Sequence, residues 1–117
     1  MDNIDSILEN LFGELKRGTL VLSVLLNTKK PIYGYSLVQS LQDSGMKIDK
    51  NTLYPLLRRL DKQGLLISSW NTSENRARKY YQISEVGEAV LSQLIKEWKE
   101  MNLNIEKMIW NKEQICN

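Results

Sequence analysis

From residue 91 to residue 108 the chain places a large apolar side chain at alternating steps of three and four: Leu91, Leu94, Trp98, Met101, Ile105 and Met108. These are the a and d positions of a heptad, and they predict one long helix with an apolar seam along one side. Ser84 is a good N-cap and Glu85 suits a first helical turn, so the helix is predicted to begin there. At 117 residues the chain fits one small domain, and chains this short often gain stability by oligomerising. Left uncovered, the seam would hold a row of large apolar groups in water. The expectation is therefore a two-fold homodimer built through residues 84–112.

The elements before that helix define the rest of the body. Ile4, Ile7, Leu8, Leu11, Phe12 and Leu15 recur at helical spacing, and Gly18-Thr19 breaks the pattern. Leu20 to Leu26 is apolar nearly all round, as expected of a helix buried in the core, and Lys29-Lys30-Pro31 ends it. Leu37, Val38 and Leu41 form the stripe of a short helix closed by Gly45. Asp49 can cap the next helix, which Leu53, Leu56, Leu57 and Leu60 turn inward and Gly64 stops. Leu65–Trp70 and Arg76–Ile83 then read as two strands joined by the polar turn "NTSEN".

The fold class predicted from this order is mainly α with a small β-hairpin. It is a winged helix-turn-helix flanked by N-terminal and long C-terminal helices. Residues 1–83 would hold the N-terminal helix and the DNA-binding unit, and residues 84–117 the dimerisation helix.

Chemistry is narrowed by what the chain lacks. It has no histidine and a single cysteine, Cys116, so histidine- or cysteine-based zinc and nucleophile sites and an internal disulfide are not expected. Its six glycines are scattered, with no phosphate-cradling loop among them. No catalytic residue, cofactor or metal ligand set is expected, and the chain does not read as an enzyme. No stretch reads as a membrane span or a cleavable leader, so no membrane partner and a cytoplasmic location are expected.

Charge points to one surface. Residues 50–79 carry Lys50, Arg58, Arg59, Lys62, Arg76, Arg78 and Lys79 against Asp61 and Glu74, a local +5 within an overall +2 that leaves the other 87 residues at −3. A basic centre between mildly acidic ends is the footprint of a module that meets a polyanion. In a winged helix, the helix after the turn enters the major groove and the hairpin lies on the flanking backbone or minor groove. "KNTLYPLLRRL" is the candidate recognition helix. With its leucines inward, Lys50, Asn51, Tyr54 and Arg58 fall on the outer face. Lys50 and Arg58 can meet phosphate or guanine, Asn51 can read adenine, and Tyr54 can touch phosphate or a thymine methyl. Pro55 forfeits one helical hydrogen bond, to the Asn51 carbonyl, at a small cost because it lies near the helix start.

"GTLVLSVLL", "PIYGYSLVQSL", "NTLYPLLRRLDKQGLL" and "RKYYQISEVGEAVL" together resemble the PadR family of bacterial transcriptional regulators. The likeness runs from about Gly18 to Leu91, and the short chain resembles the small subgroup with a single C-terminal helix. It implies a homodimeric repressor on an inverted-repeat operator in double-stranded DNA. The last helix would form the dimer with help from the N-terminal one, here through Leu8 and Leu11. The family's DNA-facing positions fall on Tyr35, Asn51, Thr52, Tyr54 and Pro55, and its wing positions on Arg76, Arg78 and Lys79. In LmrR-like members, paired tryptophans at the position of Trp98 sandwich flat aromatic compounds. Trp98 is accordingly a residue of the dimer core, a ligand-binding residue for a small aromatic effector, or both. The alternative reading is a winged helix that binds protein rather than DNA; such modules lose the basic residues that this chain keeps.

Overall fold

The computed structural model describes residues 2–73 and 76–116, with side chains for residues 3–73 and 76–112. Glu74 and Asn75 of the expected turn, and the Cys116 thiol, lie outside the described residues. The helices are α1 (Asp2–Arg17), α2 (Leu20–Leu26), α3 (Gly34–Asp43), α4 (Lys50–Lys62) and α5 (Glu85–Cys116). The strands are β1 (Ile32–Tyr33), β2 (Leu66–Asn71) and β3 (Arg78–Ile83). The fold class matches the expectation, a mainly helical winged helix with long helices at either end.

The sheet has one strand more than the sequence reading allowed. Its order is β1-β3-β2, both pairings antiparallel, with Tyr33 opposite Tyr80 and Leu66 opposite Ile83. Two residues after Pro31 are too short for alternation to betray β1. The hairpin strands are also shorter or shifted, since Arg76 lies outside β3 and Leu65 outside β2.

Local chemistry sets the element ends. Asp49 caps α4 by accepting the Thr52 N–H at 2.9 Å, and Ser84 caps α5 by accepting that of Gly87 at 2.9 Å. α4 ends in a Schellman turn: Gly64 adopts φ +79°, its N–H reaches Asp61 O, and Leu65 N–H reaches Leu60 O at 2.9 Å. Pro55 occupies the second turn of α4 and is exposed, so the Asn51 carbonyl that it cannot bond is left toward water.

One core joins these elements. Val24 and Leu25 of α2, Leu37 and Leu41 of α3, and Leu53, Leu57 and Leu60 of α4 are buried with Leu66, Tyr81, Ile83 and Leu91. Thr28, the buried polar residue among them, returns its hydroxyl to Val24 O at 3.0 Å, while its carbonyl accepts Ile83 N–H at 2.8 Å. That bond ties the end of α2 to the wing. Ser84 makes a second tie: its hydroxyl donates to Gly64 O at 2.6 Å and its N–H to Leu65 O at 3.0 Å.

Two expectations need correction here. α2 is not buried all round; Leu26 is half exposed and only Val24 and Leu25 are fully covered. Leu91, assigned to a dimer seam, is 1 % exposed inside the chain's own core, because the first two turns of α5 lie against the sheet and α2. The seam left open therefore starts beyond it. The 32 residues of α5 span ~48 Å, and the radius of gyration of 17.8 Å exceeds the ~13 Å expected of a compact chain this long. α5 projects well beyond the body.

Candidate nucleic-acid interface

α4 divides cleanly. Leu53, Leu56, Leu57 and Leu60 are buried, while Lys50, Asn51, Thr52, Pro55, Arg58 and Arg59 are exposed. The inward leucines thus fix an outward row of donors, acceptors and cations on a single rigid helix. Tyr54 departs from the expectation of an outward residue. It is half buried on the flank of α4, its ring so close to Gly34 that a β-carbon there would stand 3.4 Å from it.

Tyr35, in the first turn of α3, is 65 % exposed, so packing does not account for it. It belongs instead to an aromatic group on the wing side, with Tyr33 6.4 Å from Tyr35 and 6.0 Å from Tyr80. Sequence reasoning missed Tyr33 and Tyr80 as partners, since only the β1–β3 register brings them together.

The wing cations are held more firmly than a solvated strand face would hold them. Arg78 and Lys79 are neighbours on β3 and so point to opposite faces of the sheet. The Arg78 guanidinium lies 5.2 Å over the Tyr33 ring. The Lys79 ammonium sits between two rings, 5.8 Å from Trp70 and 5.6 Å from Tyr81, a cation–π arrangement worth about 0.5–1 kcal/mol per exposed pair. Burial, reinforced by Asp61, pushes the Tyr81 phenol above its ordinary value of 10, so it stays neutral beneath that cation. Trp70 had no reading from sequence; its place opposite Lys79 across the β2–β3 ladder supplies one. Arg76 is exposed ahead of β3. Ser68 donates to Asp61 Oδ2 at 2.6 Å, locking β2 to α4 and so fixing wing and helix relative to each other.

A second surface is apolar. Leu8, Leu11, Trp98, Met101, Ile105 and Met108 are each between two-fifths and two-thirds exposed, as are Ile4, Ile7 and Phe12 on the same α1 stripe. Leu94 is half buried against its own core. A recess of about 310 Å³ opens between the α1–α2 junction and α5, lined by Leu15, Val21, Leu22, Leu94, Trp98 and Met101 among others.

The helix order, the wing and the exposed α4 face agree with what is found among known proteins. A model of the transcriptional regulator PadR-like family matches residues 21–93, more than half of the chain. The chain belongs to this family. The crystal structure of a PadR family transcriptional regulator from Eggerthella lenta superposes with a TM-score of 0.89 at 42% identity, covering 93% of this chain and 97% of that one. A transcriptional regulator of Mycobacterium tuberculosis is 33% identical over 81 residues, 68% of this chain and 76% of that protein. An uncharacterized protein of Lysinibacillus sphaericus is 33% identical over 87 residues, covering 71% and 78%. The PadR-like match runs from α2 into the first turns of α5, and so contains the whole of α4 and the wing. Its members are transcriptional regulators, and this chain is read as one. Among the described residues no helix is long and apolar enough to cross a membrane.

Proposed function

We propose that this PadR-family regulator binds double-stranded DNA as a two-fold homodimer and represses transcription from an inverted-repeat operator. One observation carries the reading: α4 buries every leucine and leaves Lys50, Asn51, Thr52, Pro55 and Arg58 exposed, with Asn51, Pro55 and Arg58 central on its outer face. That face has the width and the mixture of groups that a major groove accepts. Arg76, Arg78 and Lys79 would hold the flanking backbone, with Tyr35 and Tyr54 at the groove edge. Residues 1–83 serve DNA and residues 84–117 the dimer, although the first turns of α5 are shared with the core. A cytoplasmic location follows from this work on DNA.

The test is fluorescence anisotropy on a duplex from the region upstream of the regulator's own gene, beside a scrambled duplex, at several salt concentrations. Specific binding is typically 10³–10⁷ tighter than non-specific binding. Equal affinity for both duplexes, at every salt concentration, would refute sequence-specific regulation by this chain.

Base-reading and phosphate-holding residues separate in the same assay. Asn51→Ala is expected to cost about 1–3 kcal/mol on the operator and little on scrambled DNA. Arg76→Ala or Lys79→Ala should weaken both duplexes alike and reduce the salt slope by about one unit. An Asn51→Ala protein that keeps full operator affinity would mean α4 does not read bases.

Trp98 takes the role of a dimer-core residue first, since a large aromatic at an a or d position is most simply packing. A planar aromatic effector is the second use of the same recess, favoured by an indole 44 % exposed beside about 310 Å³ of mostly apolar space. If such an effector acts, a flat cationic dye will quench wild-type fluorescence, spare Trp98→Ala, and release operator by favouring one spacing of the two recognition helices. Equal quenching in both proteins leaves Trp98 to packing alone.

A further inference from the structure

The charge that the chain carries outside its basic middle stretch is not spread evenly. Lys16 and Arg17 end α1, and Lys47 lies in the loop between α3 and α4. Separated by thirty residues, they form no run in sequence. The fold brings them to one recess of about 260 Å³, floored by Leu20 and Ile48 and bounded by Thr52 in the first turn of α4. All three cations are exposed. Among the described residues the ion pair formed is Lys29 with Glu88, and none of these three cations takes part in one. The carboxylate that shares the recess, Asp49, already accepts the Thr52 N–H. Three cations against one engaged carboxylate leave a net positive surface.

Its position relative to α4 says what it is for. At 100° per residue, residues two apart on a helix point ~160° away from each other. Tyr54 and Asp61 mark one flank of α4, where the hairpin attaches through Ser68. Thr52 and Arg59 mark the other, and Thr52 borders this recess. The recognition helix therefore has the wing cations along one side and Lys16, Arg17 and Lys47 along the opposite side. An α-helix with its side chains is ~10–12 Å across, and a major groove ~12 Å wide places a phosphate backbone on each side of it. One cationic flank would serve only one of those backbones.

We infer that Lys16, Arg17 and Lys47 form a second phosphate-binding surface, which grips the DNA backbone across the groove from the wing. The inference rests on the DNA-binding reading above, and extends the interface onto α1, which lies outside the family match at residues 21–93. It is a positioning contact with no base to read. It holds the N-terminal end of α4 down in the groove while the wing holds the other edge.

The test uses the full chain with Lys16→Gln, Arg17→Gln and Lys47→Gln combined. Glutamine keeps a polar side chain and a similar helix propensity while removing the charge. Anisotropy is measured on the upstream duplex and on a scrambled duplex from 50 to 300 mM salt, with Lys79→Ala in parallel and melting curves as a check of folding. Each phosphate contact contributes ~0.9 to the salt slope, so the triple variant should lose about two to three units of slope per bound protomer and about twice that for the two-fold dimer. Affinity at 100 mM salt should fall about 10- to 100-fold on both duplexes alike. The reciprocal variant Lys16→Arg, Arg17→Lys, Lys47→Arg should keep the wild-type slope. A triple Gln variant with unchanged slope, beside a Lys79→Ala variant whose slope falls, would remove this surface and leave the DNA-binding reading standing. Loss confined to the operator at unchanged slope would also overturn it. A wild-type protein that binds neither duplex would end both readings together.

Discussion

Replacing Gly87 with alanine is expected to destabilise the fold by about 3 kcal/mol, a large share of the 5–15 kcal/mol available to a domain. On propensity alone the sign would be the reverse, because glycine inside a helix costs about 1 kcal/mol relative to alanine. The surroundings decide otherwise. A β-carbon on Gly87 would stand 2.2 Å from Leu65 O and 2.7 Å from Ile83 Cγ1. The first is backbone and cannot rotate aside. It is also the carbonyl that accepts the Ser84 N–H at 3.0 Å, so moving it opens the joint between α4, the wing and α5. Thermal unfolding should shift down by about 10 °C or more. Gly13, in mid-α1 with nothing within 4 Å of such a carbon, is the control, and alanine there should not lower the midpoint. A Gly87→Ala protein that melts with wild type would mean that α5 does not approach the wing this closely.

Gly87 illustrates where the sequence was legible and where it was not. The ends of α4 could be read because Asp49 and Gly64 act on backbone groups within a few residues of themselves. The inward leucines could be read because helical period repeats over thirteen residues. A glycine required by contact with a carbonyl twenty-two residues earlier leaves no local mark. β1 was invisible for a similar reason: two residues cannot display a period, and only Tyr80 and Tyr81 opposite make them a strand.

The site divides along the same line. Lys50, Asn51 and Arg58 are exposed on α4 as spacing requires, while Tyr54 falls on the flank where α3 half covers it. Arg78 and Lys79 lie on β3, and Tyr81 beside Lys79 shares that strand, but their other aromatic companions, Tyr33 on β1 and Trp70 on β2, could not be inferred from β3 alone. The heptad stripe was read as open from Leu91 onward, and at Leu91 that reading fails. Leu91 continues the pattern into a region that the chain's own sheet and α2 already cover. Periodicity identifies a face of a helix but is silent on which of two bodies covers each part of it.

That distinction sets the choice of residues for breaking the proposed dimer. Met101→Glu combined with Ile105→Glu is expected to give a monomer in sedimentation velocity at micromolar concentration. Both side chains are about half exposed within one chain, so glutamate can reach water there and the fold of the monomer should survive. Leu94 is a poorer target, since it packs against its own core and a glutamate there would test stability as well as assembly. In a paired seam the two substitutions replace apolar contacts worth about 1.5–3 kcal/mol each with carboxylates that must either lose water or part the helices. In a two-fold dimer each substitution occurs twice, and the cost is correspondingly larger. Loss of the dimer should carry DNA binding with it, because an inverted repeat is held by two recognition helices whose spacing only the dimer sets. The monomer should retain weak, salt-sensitive binding and lose operator affinity by at least about 100-fold. Its melting curve and helix content should stay recognisably those of a folded chain, which separates lost assembly from lost structure. A doubly substituted protein that sediments as a dimer would place the interface elsewhere. A monomer that still binds the operator at full affinity would mean that one recognition helix is enough.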